Sequence, residues 1–166
     1  MALRNIVTEG DEILRKECKE VKEVNDRIRE TMADMLETMR SQLGVGIAAP
    51  QVGIMRRMFI AEPAEDEVYY MINPVILEYG EETSVDCEGC LSVPGLVGMV
   101  ERPTHIKIEA LDLEGKKQVY EFDDFHARVM QHEYDHLNGI LYTDKAFDIH
   151  DPAEDIEKEA EYHSVK

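Results

Sequence analysis

The chain has 166 residues, and 36 Asp and Glu against 18 Lys and Arg leave a formal charge of −18. The length suits one domain with its own core, and a 43% hydrophobic, 33% charged composition describes a globular chain rather than a disordered one. No apolar run approaches the ~18 residues of a membrane helix, and the net charge repels anionic lipid and nucleic-acid phosphate, so a membrane and direct nucleic-acid binding are excluded as expectations. The first residues, Met1 to Val7, meet Glu9-Gly10-Asp11-Glu12 without a signal-peptide core. Three cysteines (Cys18, Cys87, Cys90) are too few for a disulfide scaffold, so a reducing, cytoplasmic location is expected.

Met1 to Lys22 reads as an irregular charged segment, with Arg15-Lys16-Glu17-Cys18-Lys19-Glu20 a solvated face. Asn25 or Asp26 caps a helix whose apolar stripe is Ile28, Met32, Met35, Leu36, Met39 and Leu43, with Gly44 ending it. From Gly53 the period shortens. Met58 to Ala61, Tyr69 to Ile72, Val75 to Leu77, Ile106 to Leu111 and Lys117 to Phe122 read as strands, punctuated at Pro63, Asn73-Pro74, Gly80, Pro94-Gly95 and Pro103. A helix from Asp124 to Leu137 comes next, with Asp123 or Asp124 as its N-cap. Residues 146–166 form an acidic tail, read as a partly ordered helix. Helix, strands, helix in that order is an α+β arrangement.

Gln131-His132-Glu133-Tyr134-Asp135-His136 contains His-Glu-x-x-His. Residues four apart share a helix face, so His132 and His136 can reach one metal ion while Glu133 holds a water as general base. A third ligand is needed. His150 and His163 lie in the acidic tail, and Cys87-Glu88-Gly89-Cys90-Leu91-Ser92 is the better source because a thiolate binds divalent transition ions strongly. Cys87-x-x-Cys90 also admits a redox pair, although Ser92-Val93-Pro94-Gly95 is no helix start, and a closed Cys₂His₂ zinc site, although 41 residues separate Cys90 from His132 where about a dozen are usual. Gly44-Val45-Gly46-Ile47-Ala48-Ala49-Pro50-Gln51 lacks the Lys-Ser/Thr of a phosphate loop. Its small residues admit a close-lying backbone or peptide, and the Gln51 amide can face a developing oxyanion; a tight helix-to-strand turn explains the stretch equally well.

These three segments, in this order, resemble those of the peptide deformylases, bacterial type, over roughly residues 1–145, with Ile47 standing where leucine is more usual. The resemblance implies β-sheets packed around a central helix carrying the two histidines, in a catalytic domain of residues 1–145. It implies a metal-dependent hydrolase that removes the N-formyl group from the N-terminal formylmethionine of newly made polypeptides, releasing formate. The metal ligands would be Cys90, His132 and His136, holding one divalent ion; Fe2+ is the family's usual metal, with Zn2+, Ni2+ or Co2+ able to replace it. Glu133 would be the general acid and base, and Gln51 with the Leu91 N–H would stabilise the oxyanion. The formylmethionyl peptide would lie extended along Gly44, Val45 and Gly46 beside Gly89, its methionine side chain against Val45, Phe125 and Val129. Either Glu88 and Arg102 pair to fix the Cys90 segment or Arg102 stands at the surface, two readings of equal weight.

Two departures stand out. Leu96-Val97-Gly98 occupies the place where some bacterial members carry an arginine, and the tail is acidic where some end in a basic ribosome-docking helix. Ribosome contact is therefore expected to be weak, and the protein is expected to be a monomer. Rival readings are a zinc endopeptidase using a ligand other than Cys90, and a metal-stapled binding module closed by Cys87.

Overall fold

Asn25 opens the first helix, α1 (Asp26–Ser41), by turning its Oδ1 onto the Ile28 N–H at 3.0 Å. In the computed structural model, which describes residues 2–155, the methionines of the stripe point inward: Met32, Met35 and Met39 are fully buried. Each buried side chain of this size stabilises by about 1.5–3 kcal/mol. Leu43 does not join them. The N–H groups of Gln42 and Leu43 bond back to the carbonyls of Met39 and Arg40 at 3.1 Å each, Leu43 takes φ +58°, and its side chain is 92% exposed. The helix has ended before the expected last position of its stripe.

Beyond this turn the chain enters a strand, β1 (Gly46–Ala48), and then a single 3-10 turn at Ala49–Val52. β2 (Met58–Ala64), β3 (Glu67–Tyr79), β6 (His105–Leu111) and β7 (Lys117–Asp123) join β1 in an antiparallel sheet of order β1-β2-β3-β6-β7. The two runs read on either side of Asn73-Pro74 are one strand. Asn73 adopts φ +50°, a conformation asparagine tolerates, and Pro74 lacks a donor, so the strand continues through a register shift between Ile72 and Val75. Asn73 also receives the Val21 N–H and donates to the Val21 carbonyl, both at 2.8 Å, which ties the N-terminal segment to the sheet.

Both faces of this sheet are covered, which explains why β2 reads as an unbroken apolar run. Met58 and Ile60, with Ile47 and Ile72, pack against the α1 methionines. Their neighbours Phe59 and Ala61, with Ala48 and Met71, pack against Ala127, Val129, Met130 and Leu137 of the second helix, α2 (Asp124–Leu137). Asp123 occupies the N-cap position of α2 without making the capping bond; its carboxylate accepts from His105 Nδ1 at 2.8 Å instead.

A second antiparallel sheet, of order β4-β5-β8, is built from segments whose sequence gives no strand signal: β4 (Thr83–Cys90), β5 (Val93–Pro103) and β8 (Phe147–His150). β4 buries only Glu88 fully, so it carries no alternating apolar pattern. β8 replaces the helix expected at the start of the acidic tail, pairing Phe147 with Met99 and His150 with Val97. Residues 152–155 are helical, as that reading expects, and its remainder, like His163, lies outside the described residues. α2 packs on β1, β2 and β7 on one side and on β5 on the other, so the architecture is α+β with sheets around the motif-bearing helix. Among the described residues no helix is long and apolar enough to cross a membrane.

Candidate metal centre

α2 presents His132 and His136 one turn apart on the face toward β4, their ring centroids 5.3 Å apart. β4 ends in a bulge: Gly89 pairs with Val97, but Cys90 pairs with Val93, and the thiol turns toward the histidines. Cys90 Sγ lies 3.4 Å from His136 Nε2, and donor atoms of Cys90, His132 and His136 all fall within 4.8 Å of one another. They are the one such group among the described residues. A thiolate and two imidazoles suit a divalent transition ion, and three protein donors leave a coordination position open.

Glu88 sets the ring. Its carboxylate, on the face of β4 that Cys90 shares, receives His132 Nδ1–H at 2.8 Å, Arg102 Nε–H at 2.6 Å and Arg128 Nη1–H at 2.7 Å. With Nδ1 so engaged, His132 Nε2 is the nitrogen left to ligate. Burial alone would raise the Glu88 carboxyl, but the bonds from His132 and Arg102 outweigh it and hold the group well below the usual carboxylate range. Arg102 bonds Asp135 as well, at 3.0 Å, and is 2% exposed, so the Glu88–Arg102 pairing is an interior one.

Glu133 is buried on the same helix, with Oε1 4.0 Å from His136 Nε2 and no hydrogen-bond partner. Burial first, then the charges of Glu88 and Asp135, push its carboxyl up to about 7, with His132 and Arg102 opposing. An unpartnered carboxyl that exchanges a proton near neutrality suits general acid-base work. Gln51, 1% exposed, accepts the Ala48 N–H on Oε1 at 2.9 Å. Its amide nitrogen donates to Ser92 Oγ at 3.0 Å and toward Cys90 Sγ at 3.5 Å, so one N–H stays aimed at the centre.

A cleft of about 480 Å³ opens over these groups. Every residue expected to touch substrate lines it: Gly44, Val45, Gly46, Gly89, Phe125 and Val129, with Leu91 and Gln51. Val129 is 6% exposed, whereas Val45 and Phe125 stand half-exposed at the rim. Gly46 is required by closeness: a β-carbon there would meet Glu133 Oε2 at 2.7 Å. Cys87 also lines the cleft, yet it is exposed and outside the three-donor group, so neither a redox pair nor a closed four-ligand site forms. His150 is held by the Asp148 carbonyl and the Asp155 carboxylate, each at 2.8 Å, away from the centre.

Three contributors escaped the sequence reading. Arg128 is buried, bonding Glu88, the Val100 carbonyl at 2.9 Å and the Ser84 carbonyl at 3.0 Å. Its spacing of four from His132, amid apolar neighbours, was the available signal. Ser92 holds Gln51, and Tyr142 lies along the His132 ring at 5.9 Å between centroids, its hydroxyl on the Leu96 carbonyl. Ser92 ends the Cys87–Ser92 segment, whose pattern gives it no role of its own, and Tyr142 carries no local pattern.

Residues 3–151 match the family profile of polypeptide deformylase. The chain belongs to that family. It is 50% identical over 148 residues to peptide deformylase 1 of Clostridium perfringens, covering 87% of this chain and 98% of that one. Among solved structures, it resembles the peptide deformylase of Thermotoga maritima at 40% identity and TM-score 0.86, covering 89% of this chain and 99% of that one. It also resembles the peptide deformylase of Synechococcus elongatus in complex with actinonin, at 38% identity and TM-score 0.84 over 87% of this chain and 79% of that one.

Proposed function

We propose that the cleft receives an N-formylmethionyl peptide and that Cys90, His132 and His136 hold one divalent ion beneath its formyl group. The family's reaction, removal of the N-formyl group from newly made polypeptides with release of formate, is the activity of this chain. The observation that carries the assignment of roles is the unpartnered Glu133 carboxylate beside a three-donor group at the floor of an open cleft. Ferrous iron is the proposed metal, with zinc, nickel or cobalt as substitutes, since a mixed sulfur and nitrogen donor set accepts all of them. When bound, such an ion supplies a Lewis acid and lowers the pKa of a water from about 15.7 towards ~7.

The protein's own groups do the rest. The peptide extends along Gly44 to Gly46, where the missing side chains let its backbone approach, and beside Gly89. Its methionine side chain fits against Val129, with Val45 and Phe125 at the rim. Water oxygen joins the formyl carbon; Glu133 takes the proton and delivers it to the peptide nitrogen as the carbon–nitrogen bond breaks. The Gln51 amide and the Leu91 N–H receive the charge that develops on the formyl oxygen, each worth about 3 kcal/mol. Residues 1–145 act as the catalytic domain and 146–166 as an acidic appendage, in a cytoplasmic monomer with weak ribosome contact.

The test is formate release from formyl-Met-Ala-Ser by anaerobically purified protein, with metal analysis alongside. Release in proportion to bound iron is expected. Cleavage of internal peptide bonds without formate would overturn the reading in favour of an endopeptidase.

A further inference from the structure

Along the sequence the basic residues are diluted by acids, and no cationic run stands out. Folding regroups them. A second cleft, of about 810 Å³, is lined by five cations, Arg4, Lys19, Lys22, Arg27 and Arg56, against two carboxylates, Glu20 and Glu23. The ratio is reversed from the chain as a whole, where acids outnumber bases two to one.

The cations are set on fixed backbone. Lys19 and Arg56 face each other across a parallel bridge in which the Lys19 N–H donates to the Met55 carbonyl at 3.2 Å and the Arg57 N–H to the Lys19 carbonyl at 2.8 Å. Lys22 is next to Val21, which Asn73 clamps on both its N–H and its carbonyl at 2.8 Å. Arg27 stands in the first turn of α1, where the helix field disfavours a cation. Asp26, beside it, is committed to Arg29 at 2.8 Å. Arg4 is paired with Asp34 at 2.9 Å, but among the described residues Lys19, Lys22, Arg27 and Arg56 form no ion pair. Four like charges held around one concavity repel each other, and a multivalent anion relieves that repulsion.

We propose that this cleft binds a compact anion carrying two or three linked phosphates. Linked phosphates match several cations held close together. Compactness is dictated by the surroundings, because a chain of net charge −18 repels the flanking phosphates of a long strand while the cleft attracts those inside it. The same phosphate chemistry occurs in free polyphosphates and nucleotides and at the end of an RNA strand. The site is distinct from the catalytic cleft. It takes the first turns of α1, whereas Gln42 to Gly44, just past the last turn, line the catalytic one. A 16-residue helix spans about 24 Å, so an occupant leaves the formyl-peptide cleft open.

The experiment is calorimetric titration of the metal-loaded protein with cyclic trimetaphosphate, a weak chelator, at about 50 mM salt, where screening is modest. Inorganic phosphate and a short single-stranded oligouridylate are titrated in parallel. Trimetaphosphate is expected to bind at least about tenfold more tightly than phosphate or the oligonucleotide, and to weaken steeply as salt rises. Lys19→Gln, Lys22→Gln, Arg27→Gln and Arg56→Gln together should lower its affinity at least about tenfold, with formate release unchanged. If that variant does not fold, Lys22→Gln with Arg27→Gln should still give a measurable loss. No binding by the wild type, or binding that survives both variants, overturns the proposal. Tighter binding of the oligonucleotide through the same four residues overturns the compact anion in favour of an RNA strand.

Discussion

His132 Nδ1 donates to Glu88 Oε1 at 2.8 Å, and this bond decides which ring nitrogen faces Cys90. The same carboxylate balances the buried guanidinium groups of Arg102 and Arg128. Glu88→Gln keeps an oxygen for the imidazole but leaves two interior cations short of their counter-charge. We expect a loss of about 3–5 kcal/mol in urea denaturation. Metal affinity, measured by competition with a chromophoric chelator, should fall about 10–100-fold. Wild-type affinity in that variant would mean the histidine is oriented by something other than Glu88.

Gly46→Ala tests the closeness of β1 to the Glu133 carboxylate. The added carbon would stand 2.7 Å from Glu133 Oε2, so either the strand or the carboxylate must move. A displacement approaching 1 Å at a reacting group costs on the order of 100-fold in rate, and kcat for formate release should drop by about that much while metal content stays at the wild-type level. An undiminished kcat would show that Glu133 has room to spare.

Glu133→Ala and Gln51→Leu should separate proton transfer from charge stabilisation. Glu133→Ala is expected to retain its metal and lose about 10²–10⁴ in rate. Gln51→Leu should lose about 10²–10³ in kcat and, because Oε1 also receives the Ala48 N–H, should lower stability too. Restoring the amide at a shorter reach, as Gln51→Asn, should recover little of either. Metal loss in Glu133→Ala would recast that residue as a ligand.

Cys18 gives a pH-dependent prediction away from the metal. Burial, opposed in part by Arg57, pushes its thiol from the ordinary 9.0 up to about 11. The folded state therefore holds a proton that the unfolded chain releases between those values. Stability is present below about pH 9 and declines as pH rises towards 11. In Cys18→Ala that alkaline decline should be shallower than in wild type, measured as the urea midpoint against pH. At pH 8, iodoacetamide should modify exposed Cys87 and leave Cys18 untouched. Rapid labelling of Cys18 in the native state would contradict its burial.

The sequence by itself determined the two helices and the His132, Glu133 and His136 spacing on the second of them. Asn25 caps α1 because its side chain has an N–H to reach three residues on, and spacing of four puts His132 and His136 on one face, both consequences of local geometry. The strand β2 was legible because it buries both faces and reads as continuous apolar chain. β4 was not, since its role is to carry Glu88 and Cys90 inward from an otherwise exposed ribbon, and such a strand leaves no periodic trace. Only the tertiary structure decided that Arg128 joins Arg102 on Glu88, that Phe147–His150 closes a sheet edge, and that Lys19 stands beside Arg56. Each depends on residues far apart in sequence whose proximity is set by which faces must be buried. Period and composition record local preference, whereas the cost of an unpaired buried charge or an open strand edge arises only once the chain has closed on itself.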